Sequence, residues 1–228
     1  MTDPMKSILN NVLEDSRKFF NLKSGNKIYL NLDRLPDKKR ESYSAKKISE
    51  RIKLINRVYE DSRHSKTPYE INKVLLKVQG KDDHAGNCDH YSYMAFELLK
   101  NKKEDISNIY KKPFSISIIG IKSFRKTFGH AFLFLSNTHQ FILEDIFIKN
   151  TDSESWVLDP WDNITCRSYQ YPLLWHIKML KWRAKGKSLI ISNTPTSPTN
   201  SDCYQLMKLQ KNNRFIVYKE DFQCYSLA

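Results

Sequence analysis

With 228 residues, 40% of them apolar and including 12 Tyr and 12 Phe, the chain is long enough and apolar enough to bury a core, which argues against a disordered or fibrous protein. No run of ~18 apolar residues occurs, so no transmembrane helix is expected, and the charged amphipathic stretch Met1 to Phe20 lacks the apolar region of a Sec signal. The net charge of +13 is uneven: residues 1–80 hold 18 Lys+Arg against 10 Asp+Glu, residues 81–170 hold 11 against 12, and residues 171–228 hold 9 against 3.

Residues 5–21 predict a helix with Ile8, Val12, Leu13 and Phe19 or Phe20 as its buried stripe. Lys23 to Arg40, with Gly25, Pro36 and Asp37, reads as a loop around a short strand at residues 27–30. Ile48, Ile52, Ile55 and Tyr59 recur at helical spacing with basic residues opposite, which predicts the next helix. Thr67-Pro68-Tyr69-Glu70 carries a cap, a proline at the first helical position and the acid of a capping box. Ile71, Val74, Leu75 and Val78 then face inward until Gly80. Another helix is expected from Tyr91 on, with Met94, Ala95, Leu98 and Leu99 on one face.

The pattern changes after Asp105. Residues 114–121, 130–135, 140–148 and 156–158 are rich in β-branched and aromatic residues and read as an antiparallel meander. Residues 171–185 return to helix, 187–192 and 214–219 read as strands, and 193–202 as a turn-rich loop. The prediction is an α+β protein, one domain over residues 1–228, helices first and sheet second.

Residues 86–90, Gly-Asn-Cys-Asp-His, set Cys88 at or just inside a helix N-terminus. Unpaired backbone N–H groups and the positive end of the helix dipole favour a thiolate there. A nucleophilic thiolate needs a base, and the base needs a group to orient its ring. His130 follows Gly129 at the start of a predicted strand. Asp159 ends one, immediately before Pro160, where its carboxylate can accept the imidazole N–H. Asp145 is the alternative acid. The backbone N–H of Cys88 is the default oxyanion donor, with Asn87 or Gln79 as side-chain candidates. Cys166, Cys203 and Cys224 have no neighbouring base, and four scattered cysteines without a CxxC pair favour a reducing compartment over a disulfide framework.

Asn-Cys, then Gly-His-Ala-Phe, then Val-Leu-Asp-Pro-Trp resembles the papain-like and transglutaminase-like cysteine enzymes over residues 86–162, and is closest to their bacterial toxin and effector members. The resemblance implies a papain-like fold, with the nucleophile at a helix N-terminus packed on an antiparallel sheet that carries His and Asp. It makes Cys88 the nucleophile, His130 the base and Asp159 the orienting acid, with no cofactor and no metal. It also implies glutamine deamidation of a host protein by a translocated bacterial effector, with proteolysis or transamidation as alternatives. The chain departs from many relatives in Asp89-His90-Tyr91, where an acid beside the nucleophile opposes thiolate formation.

Two other classes compete. His84, Cys88 and His90, with His130 as a fourth ligand, would make a zinc site, although the spacing matches no established metal motif. Alternatively, the basic flanks would serve a non-catalytic module that docks an acidic protein or an anionic membrane. Solvated helix faces are the plainer account of those flanks. Nucleic acid is not expected as a partner, because the segment with the candidate chemistry is nearly neutral.

Overall fold

The computed structural model describes residues 3–123, 129–138, 141–148, 154–191, 194–208 and 213–223. Local signals set most of the helices. Asp3 opens α1 (Pro4–Phe19) by accepting the Met5 N–H at 3.0 Å. Ser44 caps α3 (Ala45–Asp61). At α4 (Pro68–Gln79) the capping box forms as read: the Glu70 N–H donates to Thr67 Oγ1 at 3.2 Å and the Thr67 N–H to Glu70 Oε2 at 3.1 Å. Gly80, at φ 77°, ends that helix in the left-handed region glycine tolerates. The helix that begins at Cys88 is α5 (Cys88–Lys100).

Five antiparallel strands form the main sheet in the order β5-β4-β3-β2-β8. They are β2 (Phe114–Lys122), β3 (Gly129–Ser136), β4 (Ser155–Asp159), β5 (Ile164–Arg167) and β8 (Arg214–Phe222). A second, three-stranded sheet joins β1 (Lys27–Tyr29), β6 (Lys187–Ile191) and β7 (Thr194–Thr196). Both faces of the main sheet are covered, and β2 and β3 are buried almost end to end. On one face Ile116, Ile118, Leu133, Leu135 and Leu158 pack with Leu9 of α1 and Ala95, Phe96 and Leu99 of α5. On the other, Ile121, Phe132, Phe134 and Val157 pack with Tyr171, Trp175 and Met179 of α7 (Tyr171–Ala184). The strand alternation thus sorts odd and even positions of β3 onto different helices.

Several expectations are corrected. Residues 141–148 do not form a strand. A 3-10 turn at Leu143–Asp145 lays Phe141, Leu143, Ile146 and Phe147 on the sheet face, an apolar run that periodicity alone does not separate from a strand. Gln140, the first residue of that expected strand, lies outside the described residues. The loop read over Lys23 to Arg40 ends in the start of a short helix, α2 (Asp37–Ser42). The turn-rich segment 193–202 contains β7 and the start of α8 (Ser201–Tyr204), with residue 193 outside the description. The sequence reading also lacked α6 (Lys103–Tyr110) and β5.

Candidate active site

The approach to Cys88 is pinned from several sides. Gln79 clamps Ala85 with both ends of its amide: Nε2 donates to the Ala85 carbonyl at 3.0 Å and Oε1 accepts the Ala85 N–H at 2.6 Å. His84 faces the Gly80 carbonyl through Nε2 at 2.9 Å, and its ring stacks on Phe19 with centroids 4.0 Å apart. Gly86 follows where no side chain fits, since a Cβ there would lie 2.6 Å from Phe20 Cε1 and 2.9 Å from His90 Cβ. Asn87 then caps α5 with extended backbone, and Cys88 is the first helical residue. Its backbone N–H has no intrahelical acceptor and is free to hold an anionic oxygen. Cys88 as a residue is half-buried and free of any disulfide.

His130 and Asp159 meet through strand register. Leu133 pairs with Leu158 across β3 and β4, so Asp159 falls opposite Phe132 and diagonal to His130, on the α7 face. His130 Nε2 bonds Asp159 Oδ2 at 2.9 Å, with both side chains buried to 0% exposure. The Tyr171 hydroxyl donates to the same Oδ2 at 2.8 Å, and the Asp162 N–H donates to Oδ1 at 3.0 Å. Both oxygens of this buried carboxylate are therefore hydrogen-bonded, Oδ2 twice. Trp161 and Trp175, with ring centroids 5.1 and 4.8 Å from the imidazole, keep water from it. With Nε2 committed to Asp159, the remaining ring nitrogen is Nδ1. It is buried and makes no aligned hydrogen bond, while Cys88 stands near enough for its charge to act on the ring.

Charges follow the geometry. Burial works against the imidazolium, but the Asp159 carboxylate, and after it the Cys88 sulfur, outweigh burial and raise the His130 pKa to about 10. Burial likewise acts to raise Asp159, yet facing His130, Asp162 N–H and Tyr171 hold it below the ordinary carboxylate range. Asp89, the acid next to Cys88, is also held low. Burial opposes this, while His90 and the Tyr59 hydroxyl, which donates to its Oδ1 at 2.9 Å, favour the anion. Cys166 and Cys203 differ: burial pushes both thiols up to about 12.

Asp145, the alternative acid, lies in the 3-10 turn, and the carboxylate bonded to His130 is that of Asp159. Asn87 turns Oδ1 toward Ser24 Oγ at 3.3 Å, and Ser24 accepts the Trp161 Nε1–H at 3.0 Å, so the cap of α5 and the Asp-Pro-Trp turn share one hydroxyl. Cys224 lies outside the described residues. The histidines proposed for zinc do not converge: His84 is committed to Gly80, and His90 Nδ1 lies 3.1 Å from Asp89 Oδ1 and 3.4 Å from the Asn87 nitrogen. Among the described residues no group of three or more His, Cys, Asp or Glu is arranged to hold a metal ion.

Sequence reasoning missed four contributors. Tyr171 carries no signal, because a tyrosine opening a helix is ordinary core. Asp162 was legible as the third residue after Asp159 in a tight turn. Ser24 gave no sign of bridging Trp161 and Asn87. Lys27, on β1, is buried with its ammonium on the Trp161 carbonyl, 3.9 Å from Asp162 Oδ1 and 3.5 Å from the Trp161 ring centroid. No helix among the described residues is long and apolar enough to cross a membrane. Set against models of known protein families, curated proteins and solved structures, the chain matches none.

Proposed function

We propose that this chain is a cysteine-dependent amide hydrolase acting on a protein substrate, with Cys88 as nucleophile, His130 as base and acid, and Asp159 as the group that orients the ring. One observation supports the reading: a dry, fully buried His130–Asp159 bond of 2.9 Å, with the second ring nitrogen left without a hydrogen bond and the half-buried Cys88, at a helix start, near enough for its charge to act on the ring. A structural histidine needs none of this, and a binding module gains nothing from a desolvated charge pair, which is expensive to maintain without a task.

In the proposed reaction the Cys88 thiolate attacks the carbonyl carbon of an amide, and the oxygen gains the electron pair. The N–H groups opening α5 hold that oxyanion. His130 passes its Nδ1 proton to the departing nitrogen as the C–N bond breaks, leaving a thioester on Cys88. Neutral His130 then takes a proton from water, whose oxygen displaces the sulfur and restores the thiolate–imidazolium pair. Ammonia leaves if the amide is a glutamine side chain, and an amine if it is a peptide bond. The resemblance to toxin and effector enzymes favours glutamine deamidation of a host protein by a translocated bacterial protein. Proteolysis and transamidation use the same first half-reaction.

The test is intact-mass analysis of candidate host proteins incubated with the chain and with Cys88→Ala. The amide-to-acid mass gain, dependent on Cys88, is expected. Fragments would reassign the reaction to proteolysis and an amine adduct to transamidation. Any modification that persists in Cys88→Ala refutes the thiol mechanism.

A further inference from the structure

A cavity of about 650 Å³ lies between the β1-β6-β7 sheet and the end of α7, with neither Cys88 nor His130 in its lining. Five cationic side chains line it, Arg34, Lys39, Arg183, Lys185 and Lys187, and among the described residues no carboxylate does. Among the described residues none of the five forms an ion pair; the nearby Asp37 is taken by Arg40 at 3.7 Å. The C-terminal carbonyls of α7 account for Arg183 and Lys185, which complement the negative end of the helix dipole. They do not account for Arg34, Lys39 and Lys187, which come from three other segments. Tyr29 sits between two of these ammonium groups, with Lys39 Nζ 5.1 Å and Lys187 Nζ 5.5 Å from its ring centroid. Lys187 also lies 4.5 Å from the Trp182 ring. Aromatic faces therefore hold the cations in place without neutralising them. Burial first, and Lys39 among the neighbouring charges, lower Lys187 to about 8, while Asp162 opposes the shift.

We infer that this pocket binds a small molecule or lipid headgroup carrying clustered phosphate groups. Several cations converging from separate elements on one concave surface suit a multiply charged anion, and their mutual repulsion is relieved only when one is bound. Leu30, on the rim, is 69% exposed. A membrane would cover it and a soluble ligand would not.

The experiment titrates the full chain with inorganic pyrophosphate and soluble inositol trisphosphate by calorimetry, and with phosphatidylcholine vesicles containing either phosphatidylinositol bisphosphate or phosphatidylserine of equal total charge. Saturable, salt-sensitive binding is expected, weakened by about tenfold in Arg34→Gln and in Lys187→Gln. It should be unchanged in Lys103→Gln, outside the pocket, and in Cys88→Ala, so its success or failure is independent of the thiol chemistry. Arg34 is exposed, which keeps the test intact should Lys187→Gln fail to fold. Binding to the bisphosphate vesicles that Leu30→Ser weakens identifies a headgroup, and binding of soluble probes alone identifies a free polyphosphate. Absence of binding to every probe, equal binding to both kinds of vesicle, or equal weakening by Lys103→Gln overturns the inference.

Discussion

Replacing Asp159 by Asn keeps the size of the side chain and removes the charge that holds His130 protonated. At 2.9 Å and an effective dielectric constant of about 20, the gross attraction between the two charges is on the order of 6 kcal/mol. Burial, the largest single effect, opposes the imidazolium in the intact site, so without the carboxylate His130 drops from about 10. The amide also serves the site poorly. Its oxygen satisfies either His130 and Tyr171 or the Asp162 N–H, and its NH2 then confronts a donor on the other side. Near neutral pH Cys88 then loses its cationic neighbour. Iodoacetamide alkylation of Cys88, followed by peptide mass across pH 5–9, should slow by at least about tenfold near neutrality. Amide hydrolysis should fall by about a hundredfold or more. The reasoning fails if Asp159→Asn retains native near-ultraviolet circular dichroism and still alkylates at the wild-type rate throughout.

In the unaltered chain, Cys88 should be alkylated near pH 6 at least tenfold faster than Cys166 or Cys203, whose thiols burial pushes up to about 12; equal rates would contradict the site. His130 has a raised folded pKa, so its contribution to stability is complete below about 6.5 and lost as pH rises through about 10. The melting temperature of the wild type should therefore fall more steeply over that window than that of Asp159→Asn. Lys27→Met leaves Asp162 buried without its cation. Burial and then the Asp159 charge already raise Asp162 to about 6, while burial holds Lys27 well below the ordinary lysine range, so the loss in urea unfolding should be largest where both groups are ionised and shrink near pH 5, where the acid is neutral. A loss that ignores pH would show that packing on Trp161 and Trp182 dominates. Gly86→Ala puts a methyl against Phe20 and His90 and should cost about 1–3 kcal/mol while displacing Cys88, read as lowered Tm and lowered alkylation rate together; a neutral result would mean that the turn has room.

What could be read directly from the chain was local. The capping box at Thr67 and Glu70, the glycine that ends α4 and the cap before Cys88 each depend on residues within one helical turn, so their chemistry is written in adjacent positions. The strands carrying His130 and Asp159 were legible for the same reason, through alternation over a few residues. The run at 141–148 was not: apolar residues on a short segment satisfy a strand or a turn lying on a sheet, and the neighbours decide which.

The residue types for a thiol, an imidazole and a carboxylate, and the helix start that favours the thiolate, were determined by sequence alone. Tertiary structure decided that Asp159 rather than Asp145 reaches the ring, because cross-strand register sets which carboxylate stands diagonal to His130. It alone brought Tyr171, Lys27 and Ser24 to the same centre and gathered five cations from four segments around one cavity. Contacts between residues on different elements leave no periodic trace, since each side of such a contact is locally an ordinary tyrosine, lysine or serine.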